Sequence, residues 1–489
     1  MMYNLMKLPH LGRPHAAMRP NQKGTVSLVT SIFARQAKGN IFTSFRLILP
    51  LVLAMGANAV NQFADRVFLS RYSDEAIQGS LPGGILSWMF ICFVVSTVGY
   101  SGTFVAQFWG AGSRRDAAAA FVQGLWLTLA LTPFVLLSIP LGHAIFDWCG
   151  HAPAVVAAEK TYYGILQIGG VFCAFGAVFS GYFTGLGRTR LVGVANVIGN
   201  FANILLDWMF IFGHWGCGEW GIAGAGWATV ISAAIPCVIL GLALVGDPMF
   251  RGLRALVLLR PRPRLLVRIV RYGIPSGMHV FLDVVTFTVF VMLTGRLDAM
   301  SFAVSNVGFA INHLSFAPLL GLSQGATVLV GQFQGEGDSA AAMRSTFSCL
   351  LIGLAYVAGF VIFVLTCSDA CMDFFHGDHS LFALQDFRQL GHLLLMLLSC
   401  WAAFDAVTLI MEGALKGAGD TRYVMLVQLG VSCLLWMPMV LAVMRWHPTI
   451  GWMWGTMPLY CGTCATLILI RFLLGKWKSI RLVQDLVES

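Results

Sequence analysis

Apolar residues run along this chain in about twelve long stretches, separated by short polar or glycine-containing links. Each stretch is near the ~20 residues that a helix needs to cross a bilayer. They fall at 43–70, 81–109, 119–147, 159–185, 190–213 and 222–246, and, after a basic linker, at 268–295, 302–331, 343–367, 388–416, 422–444 and 450–474. The pattern predicts an all-α integral membrane protein with twelve transmembrane helices. It divides the chain into a cytoplasmic N-terminal tail at 1–41, a six-helix N-lobe at 42–247 and a basic cytoplasmic linker at 248–267. A six-helix C-lobe at 268–475 and a cytoplasmic C-terminal tail at 476–489 follow. The first tail is polar and basic and holds no apolar run long enough for a signal peptide.

One stretch breaks the apolar pattern in an ordered way. In NVIGNFANILLDWMF, the polar residues Asn196, Asn200, Asn203 and Asp207 are spaced four, three and four apart. On an α-helix those spacings put all four on one face. Amides alone can serve as hydrogen-bonding glue between packed helices. A carboxylate in line with them marks a functional stripe, because an ionisable group inside a span is costly.

Composition agrees with the hydropathy pattern. Of 489 residues, 57% are hydrophobic and 11% charged, against about 25% charged in soluble proteins. The net charge of +9 has a location that explains it without nucleic acid. With the N-terminus inside, the inner side takes Arg114, Arg115, Arg188, Arg190 and the run from Arg251 to Arg271, while the outer side holds only Arg71, Lys160, Arg296, Arg388 and Arg445. Arg66 falls within a span. That asymmetry is the positive-inside pattern and places both termini in the cytoplasm. The basic linker reads as an inside-facing connector, with contact to anionic lipid as the alternative. No G-x-x-x-x-G-K-[ST] occurs, so the chain is not expected to hydrolyse nucleotide. The twelve cysteines, Cys173, Cys237 and Cys433 among them, read as small core residues. A pairing or metal role is open for Cys367 and Cys371.

The chain also repeats itself. At one constant offset, Arg46 and Pro50 answer Arg271 and Pro275, Arg71 answers Arg296, and VAQFWGAG (105–112) answers VGQFQGEG (330–337). After a short insertion, GLGRTR (185–190) answers GAGDTR (417–422). Six spans per half make this a parallel repeat, with its axis along the membrane normal. Substrate then belongs between two bundles that rock. Pro50 and Pro275 interrupt the helix ladder, as fixed kinks or as hinges. The glycine pairs Gly110/Gly112 and Gly185/Gly187 read as helix stops and not as phosphate loops, because no strand precedes them.

These segments carry a family resemblance over nearly the whole length, about 43–475. LPLVLAMGANAVNQFADRVFLSR, VAQFWGAG, GLGRTRxxxxxNVIGNFANILLD, GIAGAGWAT, YGIPSGMHVFLD and ALKGAGDTR resemble, in order, the motifs of the multidrug and toxic compound extrusion (MATE) transporters. The resemblance implies two six-helix lobes related by pseudo-two-fold symmetry, a V-shaped outward-open state, and cation-coupled export of drug-like, cationic organic compounds by a monomer. It implies no cofactor beyond a coupling ion, H+ or Na+. Partners are the small-molecule substrate and lipid, and the location is the inner (plasma) membrane. It also implies sites. Asp65, Asn203, Asp207 and Thr229, with Asn200, would form the coupling site and the place for Na+. Asp283 and Asp405 would form a C-lobe cation or substrate site, although the NorM-like branch has Glu where this chain has Asp283. Arg66 stands beside Asp65.

The remaining residues have plainer readings. Arg66 and Arg71 are candidate salt-bridge partners for Asp65. Glu412 lies on the Asp405 face nearer the inner end and reads as gating or structural. Asp298 and Asp378 read as solvated loop residues. A wall for flat organic cations should be aromatic and Met-rich, with Phe63, Phe287, Met292, Trp401 and Phe404 as candidates. Two other readings stay open. A lipid-linked precursor flippase would want a basic cavity. An integral-membrane enzyme would want a catalytic cluster, to which HGDH (376–379) is the nearest approach.

Overall fold

The computed structural model describes residue 32 and residues 37–247, 260–376, 383–480 and 482–483. Most of the N-terminal tail, the linker with Arg251 and Arg254, the HGDH segment beyond His376 with Asp378, and the end of the C-terminal tail lie outside the described residues.

Twelve helices are long and apolar enough to cross a membrane. They are α1 Ile41–Tyr72, α2 Asp74–Gly110, α3 Arg114–Cys149, α4 Pro153–Gly185, α5 Thr189–Phe212 and α6 Gly221–Gly246, then α7 Pro263–Thr294, α8 Ala299–Gly335, α9 Ser339–Thr366, α10 Leu384–Ala418, α11 Thr421–Trp446 and α12 Ile450–Leu473. No strand occurs among the described residues. The apolar stretches of the sequence each became one of these helices. Several helices begin earlier than the apolar stretches, α2 at Asp74, α4 at Pro153 and α7 at Pro263; the two prolines suit the first helical turn, where their missing N–H costs nothing. Large side chains such as Leu137, Phe201 and Leu434 stay exposed, as lipid-facing positions require.

Two main apolar cores form, one per lobe, and each borrows from the other half. Leu47 and Ile48 of α1 pack in the core of the second lobe. Leu265 and Ile269 of α7 pack in the core of the first. The lobes thus share their leading helices at the end of the bundle that carries most arginines, called here the basic end. There the backbones come very close: a Cβ on Gly110 would lie 2.0 Å from the Gln332 carbonyl oxygen, and one on Gly335 2.0 Å from that of Gln107. Only glycine fits at either place.

The loops after α2 and α8 turn through Gly112 (φ 77°) and Gly337 (φ 78°), the left-handed conformation that ends a helix. In the GLGRTR and GAGDTR loops the repeats differ in charge, and the structure supplies the reason. Arg188 pairs with Asp247 at the end of α6 at 2.8 Å, whereas Asp420 pairs with Arg471 at the end of α12, also at 2.8 Å.

Several sequence readings are corrected. Asp298 is more than a solvated loop residue: its carboxylate caps α8, accepting from Ser301 N at 2.8 Å and Ser301 Oγ at 2.6 Å. Those bonds hold it below the ordinary carboxylate range. Cys367 and Cys371 are free thiols one helical turn apart, and no cluster of metal-ligating residues occurs among the described residues. The start of the C-terminal tail is packed. Trp477 is buried and stacked on Phe472, and Leu482 and Val483 enter the core of the first lobe. Aromatic and aliphatic side chains after the last span are as buriable as any others, and sequence distance from a span did not reveal that.

Candidate functional site

The polar stripe of α5 points into the N-lobe and becomes more buried along its length. Asn196 and Asn200 are half-buried, while Asn203 and Asp207 are buried. Close contacts hold α5 in place. A Cβ on Gly193 would press on Pro50 of α1, and one on Gly199 on Pro236 of α6. The α1–α5 packing brings Asp65 against Asp207, carboxyl to carboxyl. One turn before Asp65, Asn61 Nδ2 donates to Asn203 Oδ1. The two helices therefore meet through two successive polar pairs, amide on amide and acid on acid. Tyr162, buried on α4, lies within electrostatic reach of both acids.

The oxygens in this site lack donors. Asp207 Oδ1 and Oδ2 and Asp65 Oδ1 are buried with no hydrogen-bond partner, as are Asn203 Nδ2 and Asn61 Oδ1. Two carboxyls in contact need a proton or a cation between them, because two like charges in a dry site repel strongly. The unpartnered oxygens are hard ligands, which suit a small hard cation as well as a proton. Thr229 sits on α6 and donates to the Ala225 carbonyl at 3.0 Å, leaving its lone pairs as acceptors. Among the described residues it makes no hydrogen bond to the acids, and Asn200 makes no side-chain hydrogen bond at all. Arg66 is exposed, and neither it nor Arg71 forms an ion pair with Asp65 among the described residues.

The C-lobe candidates sit in a larger polar network. Gln428 Nε2 donates to Asp283 Oδ1 at 3.2 Å and to the Tyr460 hydroxyl at 2.5 Å. Ser432 lies 3.3 Å from that hydroxyl and accepts from Thr286 at 3.1 Å. Ser432 belongs to a π-helical turn, Val431–Trp436, within α11, a wide turn often found at functional sites. Asp405 lies beside Cys461 and Trp401, within electrostatic reach of Asp283. Glu412 is joined to a histidine on α7: His279 Nε2 lies 3.0 Å from Glu412 Oε1, and Lys416 Nζ lies 3.1 Å from His279 Nδ1.

The proposed aromatic wall divides. Phe63, Phe287, Met292 and Phe404 are exposed, Phe63 and Met292 most of all. Trp401 is buried and joins an aromatic cluster with Phe290 and Trp454, with Phe287 at its edge. Asn61, Tyr162 and His279 were missed in the sequence. Asn61 carried a signal, since it stands four residues before Asp65 on the same helix face. Nothing set Tyr162 or His279 apart from other polar residues in apolar runs.

A family model described as MatE matches residues 50–209 and 275–441, once in each half. The chain belongs to the MATE family. A probable multidrug resistance protein NorM of Thermotoga maritima is 25% identical over 444 residues, 88% of this chain and 92% of that protein. A protein of the same description from Xanthomonas campestris pv. campestris is 25% identical over 381 residues, 78% of this chain and 82% of its own length. A crystal structure of MATE in complex with MaL6 superposes with a TM-score of 0.81 at 17% identity, covering 92% of this chain and 99% of that one. A MOP superfamily transporter from Pyrococcus furiosus, described as having a binding pocket of reverse polarity, gives 0.81 at 18% identity over 92% of this chain and 99% of that one. The MATE fold is thereby secure, with twelve helices in two lobes. The acidic pair lies inside the N-lobe of that fold.

Proposed function

We propose that this MATE protein exports drug-like, cationic organic compounds across the inner membrane in exchange for H+ or Na+, by alternating access. The observation that carries the reading is the Asp65–Asp207 contact, with its donor-poor oxygens buried between α1 and α5. Relatives named as probable NorM multidrug resistance proteins support drug-like compounds as the substrate class. In this reading the basic end and both termini face the cytoplasm, as the Lys/Arg asymmetry requires. The lobes pack together at that end, and in this reading they part toward the outside.

An ion entering from outside settles between Asp65 and Asp207, and the N-lobe loses negative charge. A bound organic cation then loses its counter-charge and leaves outward. One charge falling through 100 mV supplies about 2.3 kcal/mol, which sustains roughly a fifty-fold gradient of an uncharged substrate. For a monovalent cation exchanged for one ion the potential cancels, and the ion's own gradient does the work. The flippase reading gains nothing here, because the basic Lys416 is tied to His279 and Glu412 rather than free to grip a pyrophosphate.

The test is efflux from loaded vesicles under a pH gradient and, separately, a sodium gradient, with equilibrium binding measured in detergent. Asp65→Asn and Asp207→Asn should each abolish coupled efflux and spare some substrate binding. Wild-type-like coupled efflux in both variants would make the polar stripe a packing feature.

A further inference from the structure

The repeat makes one buried cluster conspicuous. His279 of α7 and Glu412 of α10 have side chains only 6% and 4% exposed, and Lys416, one turn on from Glu412, closes the cluster. The same positions of the first half hold Ala54, Ser180 and Thr184. The duplicated fold therefore does not need this triad.

Hydrogen-bond chemistry assigns its protons. Lysine has three donors and no acceptor. With Lys416 Nζ 3.1 Å from His279 Nδ1, that nitrogen accepts, so the imidazole carries its proton on Nε2 and donates it to Glu412 Oε1. Lys416 Nζ is 3.8 Å from Glu412 Oε2. The neutral ring thus bridges a cation and an anion. A second proton on the ring would go to Nδ1, the atom that faces Lys416, and would set two donors and two positive charges against each other.

The backbone at Lys416 is also where the lobes are joined. The Tyr100 hydroxyl of α2 donates to the Lys416 carbonyl at 2.8 Å, and Gln107 Nε2 of α2 donates to the Gly417 carbonyl at 2.9 Å. On the other side, α7 packs on α2 through Gly273 and Gly277, which press on Thr97 and Phe93. So the histidine's helix and the lysine's helix both grip α2 at the basic end, and the Lys416–His279 bond ties the two grips together.

We propose that His279 is a proton-binding site that controls the junction of the lobes at the basic end. Protonation at Nδ1 expels Lys416, displaces its backbone and loosens the Tyr100 and Gln107 bonds, so the basic end opens. The site is selective for a proton over Na+, because an imidazole nitrogen is a good base but a poor ligand for a hard alkali cation, which prefers oxygen. The other titratable groups facing the triad are Asp283 on its own helix, Asp405 on α10, Tyr100 on α2, and Tyr460 and Cys464 on α12. The inference rests on the reading of this chain as an exporter that alternates between two openings.

The experiment needs no drug and no ion gradient. Spin labels at Arg115 and Ala340, exposed positions in the first turns of α3 and α9, report the distance between lobes at the basic end, in a background whose exposed Cys149, Cys400 and Cys433 are serine. In nanodiscs, lowering the pH should lengthen the wild-type distance. His279→Gln should abolish that response, because glutamine still accepts from Lys416 and donates to Glu412 but takes up no proton. Lys416→Met should abolish it too, by removing the group that is expelled. A wild-type distance indifferent to pH, or a response kept by either variant, overturns the proposal. A pH-dependent distance in a protein that exports no drug would instead sink the exporter reading and leave the proton site standing.

Discussion

Gln107 and Gln332 hold the same place in the two halves, and each reaches into the other lobe. Gln107 Nε2 donates to the Gly417 carbonyl at 2.9 Å, and Gln332 Nε2 donates to the Gly185 carbonyl at 2.8 Å. The acceptors are themselves equivalent, since Gly185 opens GLGRTR and Gly417 opens GAGDTR. The pair is a two-fold latch: any motion that separates the lobes at the basic end breaks both bonds.

Removing either side of the latch should therefore favour the state open at the basic end. A buried hydrogen bond contributes ~1 kcal/mol, so Gln107→Ala or Gln332→Ala should shift the equilibrium about fivefold. Ala106 is buried where the lobes touch, and a cysteine placed there should be alkylated faster in both variants. Unchanged alkylation in both would show that backbone packing alone closes this end.

In the C-lobe, Asp283 shares one polar network with Gln428 and Tyr460, and Asp405 lies within electrostatic reach of Asp283. Asp283→Asn and Asp405→Asn should each lower efflux several-fold in a vesicle assay, with unchanged elution from a sizing column. Asparagine keeps an acceptor for Gln428 while removing the charge, so a folding defect is not expected. Full transport by the double variant would assign the coupling wholly to the N-lobe.

Topology can be checked at positions that the structure makes safe. Gly112 and Gly187 have positive φ, and a cysteine there would be strained. Arg115, Arg190 and Arg260 are exposed at the same end. Cysteines at these three positions should react with an impermeant maleimide only when the cytoplasmic face is accessible. Labelling of any of them from outside intact cells refutes the orientation.

Asp298 offers a pH test. Its carboxylate is held below the ordinary range by Ser301, so the cap stabilises the folded state above the ordinary carboxylate pKa, and that stability is lost as pH falls through the lowered value. Asp298→Ala should cost about 1 kcal/mol at neutral pH, seen as a lower thermal midpoint in detergent. The gap from wild type should close in strong acid. A gap that widens on acidification would mean that the cap is not the source.

How far the sequence reached depended on the range of the interaction. The first-helix match NQFAD and the α5 stripe lead to Asp65, Asn203 and Asp207; the structure sets Asp65 against Asp207, while Asn203 pairs with Asn61. Asp298 is exposed, as a solvated loop residue is, and its further role as a cap depends on the backbone N–H and hydroxyl of Ser301, three residues on. Trp401 was expected at a cavity wall, but ring packing with Phe290 and Trp454 buries it.

The sequence by itself determined the twelve spans, the duplication and the face of α5 that carries Asn203 and Asp207. Each of these depends on local periodicity or on segment length, and the hydrocarbon thickness of a bilayer and the pitch of a helix translate both directly into structure. Tertiary structure alone decided that Asn61 bonds Asn203, that Tyr162 lies within electrostatic reach of the acids, that each lobe's first helix enters the other's core, and that His279 links Glu412 to Lys416. Those pairings join helices far apart in the chain. Hydropathy is nearly the same on every buried face of a membrane helix, so it cannot say which face meets which partner. Close glycine contacts and the satisfaction of polar groups away from water make that choice.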